Sequence, residues 1–164
     1  MKKVLIFILT VALAASLAGC KSPAEAATEK AAEKIFENTT GSKLDIEGDK
    51  VSVTGKDGSQ LIVGENKWPT DKVGREIPAM ACGRVAYVYN DDKSCNIILQ
   101  EVRENDVEDY LAVIRAAGFS GDKAAYSDDI NSIYLADNGQ GINIQLGYNH
   151  EEEQLSLTAI KTQQ

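Results

Sequence analysis

Ile133-Tyr134-Leu135-Ala136-Asp137-Asn138-Gly139-Gln140-Gly141-Ile142-Asn143-Ile144 places alternating apolar and polar residues on both sides of Asn138-Gly139. Asn-Gly flanked by such alternation is the strongest short-range hairpin signal, because both residues tolerate the positive φ that a tight type I′ turn demands. Pairing Asp137 with Gln140 predicts Leu135 opposite Ile142 and Ile133 opposite Ile144. Ile142, Ile144, Leu146 and Tyr148 then fall on one face of a strand, since side chains alternate with period two. A turn at His150-Glu151-Glu152 leads to a last strand with Leu155, Leu157 and Ala159 inward. A two-residue and a four-residue loop give that turn the same parity.

Upstream of this meander, Asn105 to Ala117 reads as a helix. Asn105 is the expected cap and Glu108 completes the capping box. Val107, Tyr110, Leu111 and Ile114 form an apolar stripe, and Gly118-Phe119 supplies the stop with its hydrophobic latch. Gly83 to Val102 reads as a hairpin turning at Asp91-Asp92. Pairing Asn90 with Lys93 puts Ala86, Val88, Cys95, Ile97 and Leu99 on the core face and Tyr87, Tyr89 and Ile98 on the other. In that register Cys82 and Cys95 stand about 20 Å apart along the strand. A disulfide needs Cα atoms within about 7 Å, so two free thiols are favoured, whereas a longer turn or a bent strand would bring the pair together.

The first part of the chain has its own pattern. Ser22-Pro23-Ala24-Glu25 is a helix start, with serine capping, proline in the first turn and glutamate three residues on. The helix runs to about Asn38, with Ala27, Ala31, Ile35 and Phe36 on its apolar side and Glu25, Glu29, Glu33 and Glu37 as a solvated stripe. Residues 43–64 read as a three-strand meander. A turn at Gly48-Asp49 sets Ile46 opposite Val51 and Leu44 opposite Val53, and a loop at Lys56-Asp57-Gly58 sets Val53 opposite Leu61 and Val51 opposite Val63. Residues 66–81, with Trp68-Pro69 and Ile77-Pro78, form an irregular connection whose prolines hold the preceding residues extended. The expected fold class is therefore α+β: an N-terminal helix, a three-strand meander, then a hairpin, a helix and a three-strand antiparallel sheet.

Ahead of all this stands Leu17-Ala18-Gly19-Cys20. It follows Met1-Lys2-Lys3 and an apolar run from Val4, which together have the parts of an export signal. Fifteen helical residues reach only about 22 Å, short of the roughly 30 Å bilayer core. The small pair before a cysteine reads as a lipobox, with Cys20 as the lipidated first residue of the mature protein and acyl chains of the palmitate kind as its anchor. The expected division is a cleaved signal over 1–19, Cys20 with a tether and helix over 20–41, a small meander over 42–66, and a main α+β domain over 67–164. Cleavage removes two of the 17 basic side chains and none of the 25 acidic ones, so the net charge goes from −8 to −10. Such a surface disfavours nucleic acid and anionic headgroups. The expected location is the extracytoplasmic face of the cell membrane, or an outer membrane in a cell that has one.

No constellation for chemistry stands out. The single histidine, His150, rules out a multi-histidine metal site, and His150, Glu151 and Glu153 are at most weak cation ligands. No nucleophile elbow, phosphate loop or dinucleotide fingerprint occurs, so neither a cofactor nor enzymatic activity is expected. Tyr87, Tyr89 and Ile98, together with Trp68, form the candidate contact patch.

The lipobox, the stretch from Glu33-Lys34-Ile35 to Thr40-Gly41, Asp57-Gly58-Ser59, Trp68-Pro69, Tyr110-Leu111 and Ala117-Gly118-Phe119 together resemble small bacterial surface lipoproteins, mainly of Gram-positive anaerobes, built on a domain of unknown function. The resemblance implies a membrane-anchored protein and supports the meander-hairpin-helix-meander order. It carries over no ligand or catalytic residue, and Cys82 and Cys95 lie outside its pattern. The expected function is a non-catalytic, lipid-anchored extracytoplasmic module that binds a partner or envelope component, such as an envelope protein. The alternative is a lipoprotein that binds a small ligand or divalent cation beside a transporter.

Overall fold

The computed structural model describes residues 23–120 and 123–162. The signal over 1–19 and the lipobox expected over 17–20, with Cys20 and the expected Ser22 cap, lie outside them. In chain order the elements are α1 (Pro23–Thr40), β1 (Lys43–Glu47), β2 (Lys50–Thr54), β3 (Gln60–Val63), a short 3-10 turn (Gly74–Glu76), β4 (Arg84–Asn90) and β5 (Ser94–Gln100). Then come α2 (Glu104–Ala116), β6 (Lys123–Ser127), β7 (Asn131–Asp137), β8 (Ile142–Asn149) and β9 (Gln154–Lys161). All nine strands join one antiparallel sheet in the order β1-β2-β3-β4-β5-β9-β8-β7-β6. The chain is mostly β with two helices among the described residues, and β6 is a strand that the sequence did not suggest.

The first meander keeps the expected register, with Ile46 opposite Val51, Leu44 opposite Val53, Val53 opposite Leu61 and Val51 opposite Val63. It does not stand apart from the rest of the sheet, because β3 pairs with β4, Leu61 facing Tyr89 and Val63 facing Tyr87. α1 packs Phe36 onto Leu44 and Ile46, with Val51 and Val53 beside them, in a small core of its own. Ile35 points outward at 57% exposure instead of lying on the packed side. Glu33 leaves the solvated stripe: its carboxylate accepts the Ile46 N–H at 2.9 Å, capping a donor on the open edge of β1. Edge strands need such cover, because unpaired N–H groups invite another strand.

The β4–β5 hairpin differs from expectation by two residues. Asn90 pairs with Cys95 and Val88 with Ile97, because the Asp91 carboxylate accepts the Lys93 and Ser94 N–H groups and organises a longer turn. A shift of two preserves which side chains face inward. A bulge at Ala86 then brings Val85 opposite Leu99 and leaves Ala86 half-buried. Even with this longer turn and bent strand, Cys82 is exposed, Cys95 is buried, and both are free thiols.

The β7–β8 hairpin differs by three residues, an odd shift, and so turns β7 over. Asn138 N–H donates to the Ile142 carbonyl across Gly139-Gln140-Gly141, with Gly141 at φ +97°. Ala136 now opposes Ile144 and Tyr134 opposes Leu146, while Ile133 and Leu135 occupy the face away from the main core. β8 and β9 turn through a four-residue loop, with Asn149 opposite Gln154.

α2 crosses the main core face and joins β5 to the far edge of the sheet. Its cap is Arg103 rather than Asn105. The Asp106 carboxylate accepts the Arg103 N–H at 3.1 Å and its guanidinium at 3.0 Å, which starts the helix earlier. Val107, Tyr110 and Ile114 are buried beneath it, and the Phe119 N–H closes the helix on the Ile114 carbonyl. Ile97, Leu99, Ile114, Phe119, Leu155 and Leu157 are essentially inaccessible. Each contributes roughly 1.5–3 kcal/mol through removal from water. The connection over 66–81 belongs to this core as well, since Val73 and Ile77 are buried and Trp68 and Met80 pack against it.

Candidate functional site

Directly paired residues on antiparallel strands share a face, so the registers define what each side of the sheet presents. One cross-strand row runs Ile46, Val51, Val63, Tyr87 and Ile98, and a second runs Leu44, Val53, Leu61, Tyr89 and Asn96. α1 covers the β1–β2 end of these rows through Phe36, while α2 and the main core lie on the opposite face. Past β2 the apolar rows continue, and among the described residues no helix lies over them. Val63 is 42% exposed, and Leu61, Tyr87, Tyr89 and Ile98 are half-buried. On the same face Ile160 is 51% exposed and Thr158 donates to Asn96 at 2.9 Å.

The two tyrosines differ in setting. The Tyr89 hydroxyl donates to the Asp91 carboxylate at 2.8 Å, and that contact, with partial burial, raises its ionisation above the usual phenol range. Tyr87 is raised by burial. Both remain neutral phenols at physiological pH, able to offer an apolar ring and a polar tip. Trp68, grouped with them by sequence, is on the other side. Its ring meets Tyr110 edge-on at 6.2 Å and packs on the main core. It closes the core and takes no part in the patch.

A second group gathers under α2. The Ser132 hydroxyl lies 2.9 Å from His150 Nε2 and 2.9 Å from the Ser127 hydroxyl. Glu104 Oε1 stands 3.8 Å from His150 Nδ1, and the Tyr148 ring meets the imidazole edge-on at 4.8 Å. Serine, imidazole and carboxylate in this order have the polarity of a nucleophilic relay. Acyl transfer also needs free donors for the developing oxyanion. Ser132 is the second residue of β7, just past the turn closed by Asp128 N–H on the Asn131 carbonyl, with Ser127 paired on one side and Tyr148 on the other. The contacts hold the Ser132 and Ser127 hydroxyls beside the imidazole.

His150 is thus turned to Ser132 and Glu104, and not to its sequence neighbours Glu151 and Glu153, which are exposed. Among the described residues no three His, Cys, Asp or Glu side chains converge as a metal site. Nor is any described helix long and apolar enough to cross a membrane.

Sequence reading missed Leu61 and Val63 as part of the tyrosine face, and Ser127, Ser132 and Glu104 as the surroundings of His150. The β3–β4 pairing that places the first pair follows an irregular connection, and the second group is assembled from α2, β6, β7 and the β8–β9 loop. No local periodicity signals either. No family model, curated protein or solved structure matches the chain.

Proposed function

We propose that the protein is a non-catalytic interaction module, lipid-anchored through Cys20 on the extracytoplasmic face of the membrane, which binds an envelope protein through its uncovered sheet face. One observation carries this reading: the apolar rows that α1 covers at Val51 and Val53 continue through Leu61, Val63, Tyr87, Tyr89 and Ile98 with no described helix over them. An aromatic-rich uncovered patch rimmed by polar residues is the usual character of a protein contact surface. Aromatic rings dominate such contacts because each buries a large area at little entropic cost. The net charge of −8, concentrated further by loss of Lys2 and Lys3, selects a partner with a basic rim. The lipobox is the support for the anchor, and the resemblance to bacterial surface lipoproteins agrees with it.

The test is site-specific photocrosslinking in native membranes, with the photoreactive side chain at position 87 or, on the outer side of α2, at position 109. The same single adduct from position 87, absent from position 109, and lost with Cys20→Ala, is the expected result. Identical adducts from both positions, or none above the Cys20→Ala background, would end this reading.

A further inference from the structure

We infer that the cavity beneath α2 is a binding site for a small organic monocarboxylate with a short apolar or aromatic body. This goes beyond the partner-face reading and rests on residues from the other side of the sheet.

Val107, Leu111 and Arg115 follow one another at i, i+4 and i+8, so they project along one side of α2. They overhang β6–β8 and line a half-open cavity of about 130 Å³. Val107, Leu111 and Tyr148 give it apolar walls, whereas Arg115, Ser127 and Ser132 stand at its polar margin. An apolar cavity with a few convergent polar groups is the general form of a small-molecule site. A volume near 150 Å³ accommodates a benzene ring, so the body of the ligand is restricted to about that size, with its polar head at the margin.

The head is specified by charge. In so acidic a chain an anion is held only where a cation is placed for it. Arg115 supplies that cation, and its guanidinium lies 5.4 Å from the centre of the Tyr134 ring, a contact that keeps it beside the cavity. A planar guanidinium matches the two oxygens of a carboxylate. The Tyr134 hydroxyl is itself tied to the Phe119 carbonyl at 3.1 Å, so the platform beneath Arg115 is fixed at both ends. The Ser127 hydroxyl, 2.9 Å from the Ser132 hydroxyl, adds a polar group at the cavity margin. Arginine and a hydroxyl at the margin of an apolar cavity suit a carboxylate head with an apolar tail.

Fluorine NMR of 4-fluorobenzoate with the full chain in phosphatidylcholine nanodiscs tests the inference. Empty nanodiscs and 4-fluorobenzyl alcohol, the neutral counterpart, are the controls. The expected result is saturable broadening of the benzoate signal, with half-saturation in the roughly millimolar range or below for a ligand of this size. The alcohol should bind at least about tenfold more weakly, as should benzoate to Arg115→Gln, since a charge-assisted hydrogen bond is lost in each. Arg115 is exposed, so the variant keeps the fold. Ser127→Leu, at an exposed strand position, should abolish binding by filling the cavity mouth. Absence of saturable binding, equal binding of the alcohol, or benzoate binding unchanged in both variants would each overturn the inference. None of these results bears on the face carrying Tyr87, so the two readings fail separately.

Discussion

Asn90 binds Asp71 twice: its side-chain amide donates to the Asp71 carboxylate at 2.8 Å and to the Asp71 carbonyl at 3.0 Å. Its own oxygen accepts the Gly74 N–H at 3.0 Å. Asn90 is wholly buried at the end of β4, so these bonds sew the irregular connection over 66–81 to the sheet. Asn90→Ala leaves the Gly74 N–H without its acceptor and should cost about 1–3 kcal/mol. Urea unfolding followed by tryptophan fluorescence measures it directly. A change within about 0.5 kcal/mol, the range of ordinary surface substitutions, would show that water replaces the amide.

Phe36 ties α1 to the sheet through a core separate from the main one. Phe36→Ala should cost about 3 kcal/mol or more locally. Hydrogen exchange should accelerate in α1 and β1 while β5, β8 and β9 stay protected. Uniform acceleration would mean that the two cores unfold as one unit.

Cys95 is buried between β4 and β9, and burial, with the nearby Asp71 and Asp91 charges, pushes its thiol up to about 12. Cys82 is exposed. Maleimide at neutral pH should therefore modify Cys82 and spare Cys95 until denaturant is added, as read by peptide mass spectrometry. Burial keeps Cys95 as a protonated, inert thiol. Equal labelling of both would contradict its position.

Asp91 illustrates how turn chemistry sets register. Burial raises its carboxyl, but the hydrogen bonds from Tyr89, Lys93 and Ser94 outweigh that and bring it below its ordinary 3.8. A carboxyl lowered on folding stabilises fully above its unfolded value and loses that contribution as acid protonates it in the fold. Asp91→Ala should thus lower the melting temperature at pH 7, with the gap to wild type narrowing below about pH 4. A gap that is constant from pH 7 to 3 would remove the carboxylate from the account.

Gly64 and Gly139 both have positive φ, +78° and +67°. A Cβ on Gly64 would sit 2.5 Å from the Asp49 carbonyl oxygen, whereas one on Gly139 meets nothing within 4 Å. Gly139→Ala should cost about 1–2 kcal/mol from backbone conformation alone, and Gly64→Ala clearly more. Equal melting temperatures for the two variants would show that the β1–β2 turn yields to the added methyl.

The sequence was most legible where apolar alternation and turn length agreed, as in β1–β3. Asp91 and Gly141 show the two ways in which agreement fails. The Asp91 turn lengthens its hairpin by an even number, so Cys95, Ile97 and Leu99 stay inward despite the wrong partners. Gly141 adopts the left-handed conformation and lengthens the other loop by an odd number, so Ile133 and Leu135 change face. Asn138-Gly139 marked the right place but could not count the residues in the turn. β6 has little apolar alternation of its own and is specified by its pairing with β7. The cavity beneath α2 was illegible because its walls come from three distant parts of the chain, and only the pairing of β6 with β7 brings Ser127 to Ser132.

β9, made last of the nine strands, lies in the middle of the sheet between β5 and β8. Until residues 154–161 leave the ribosome, β1–β5 and β6–β8 are two half-sheets with bare inner edges and no seam to join them. Leu155, Leu157 and Ala159 close that seam and fill the centre of the core in a single event. A chain arranged in this way withholds its final shape until β9 has taken its place between β5 and β8.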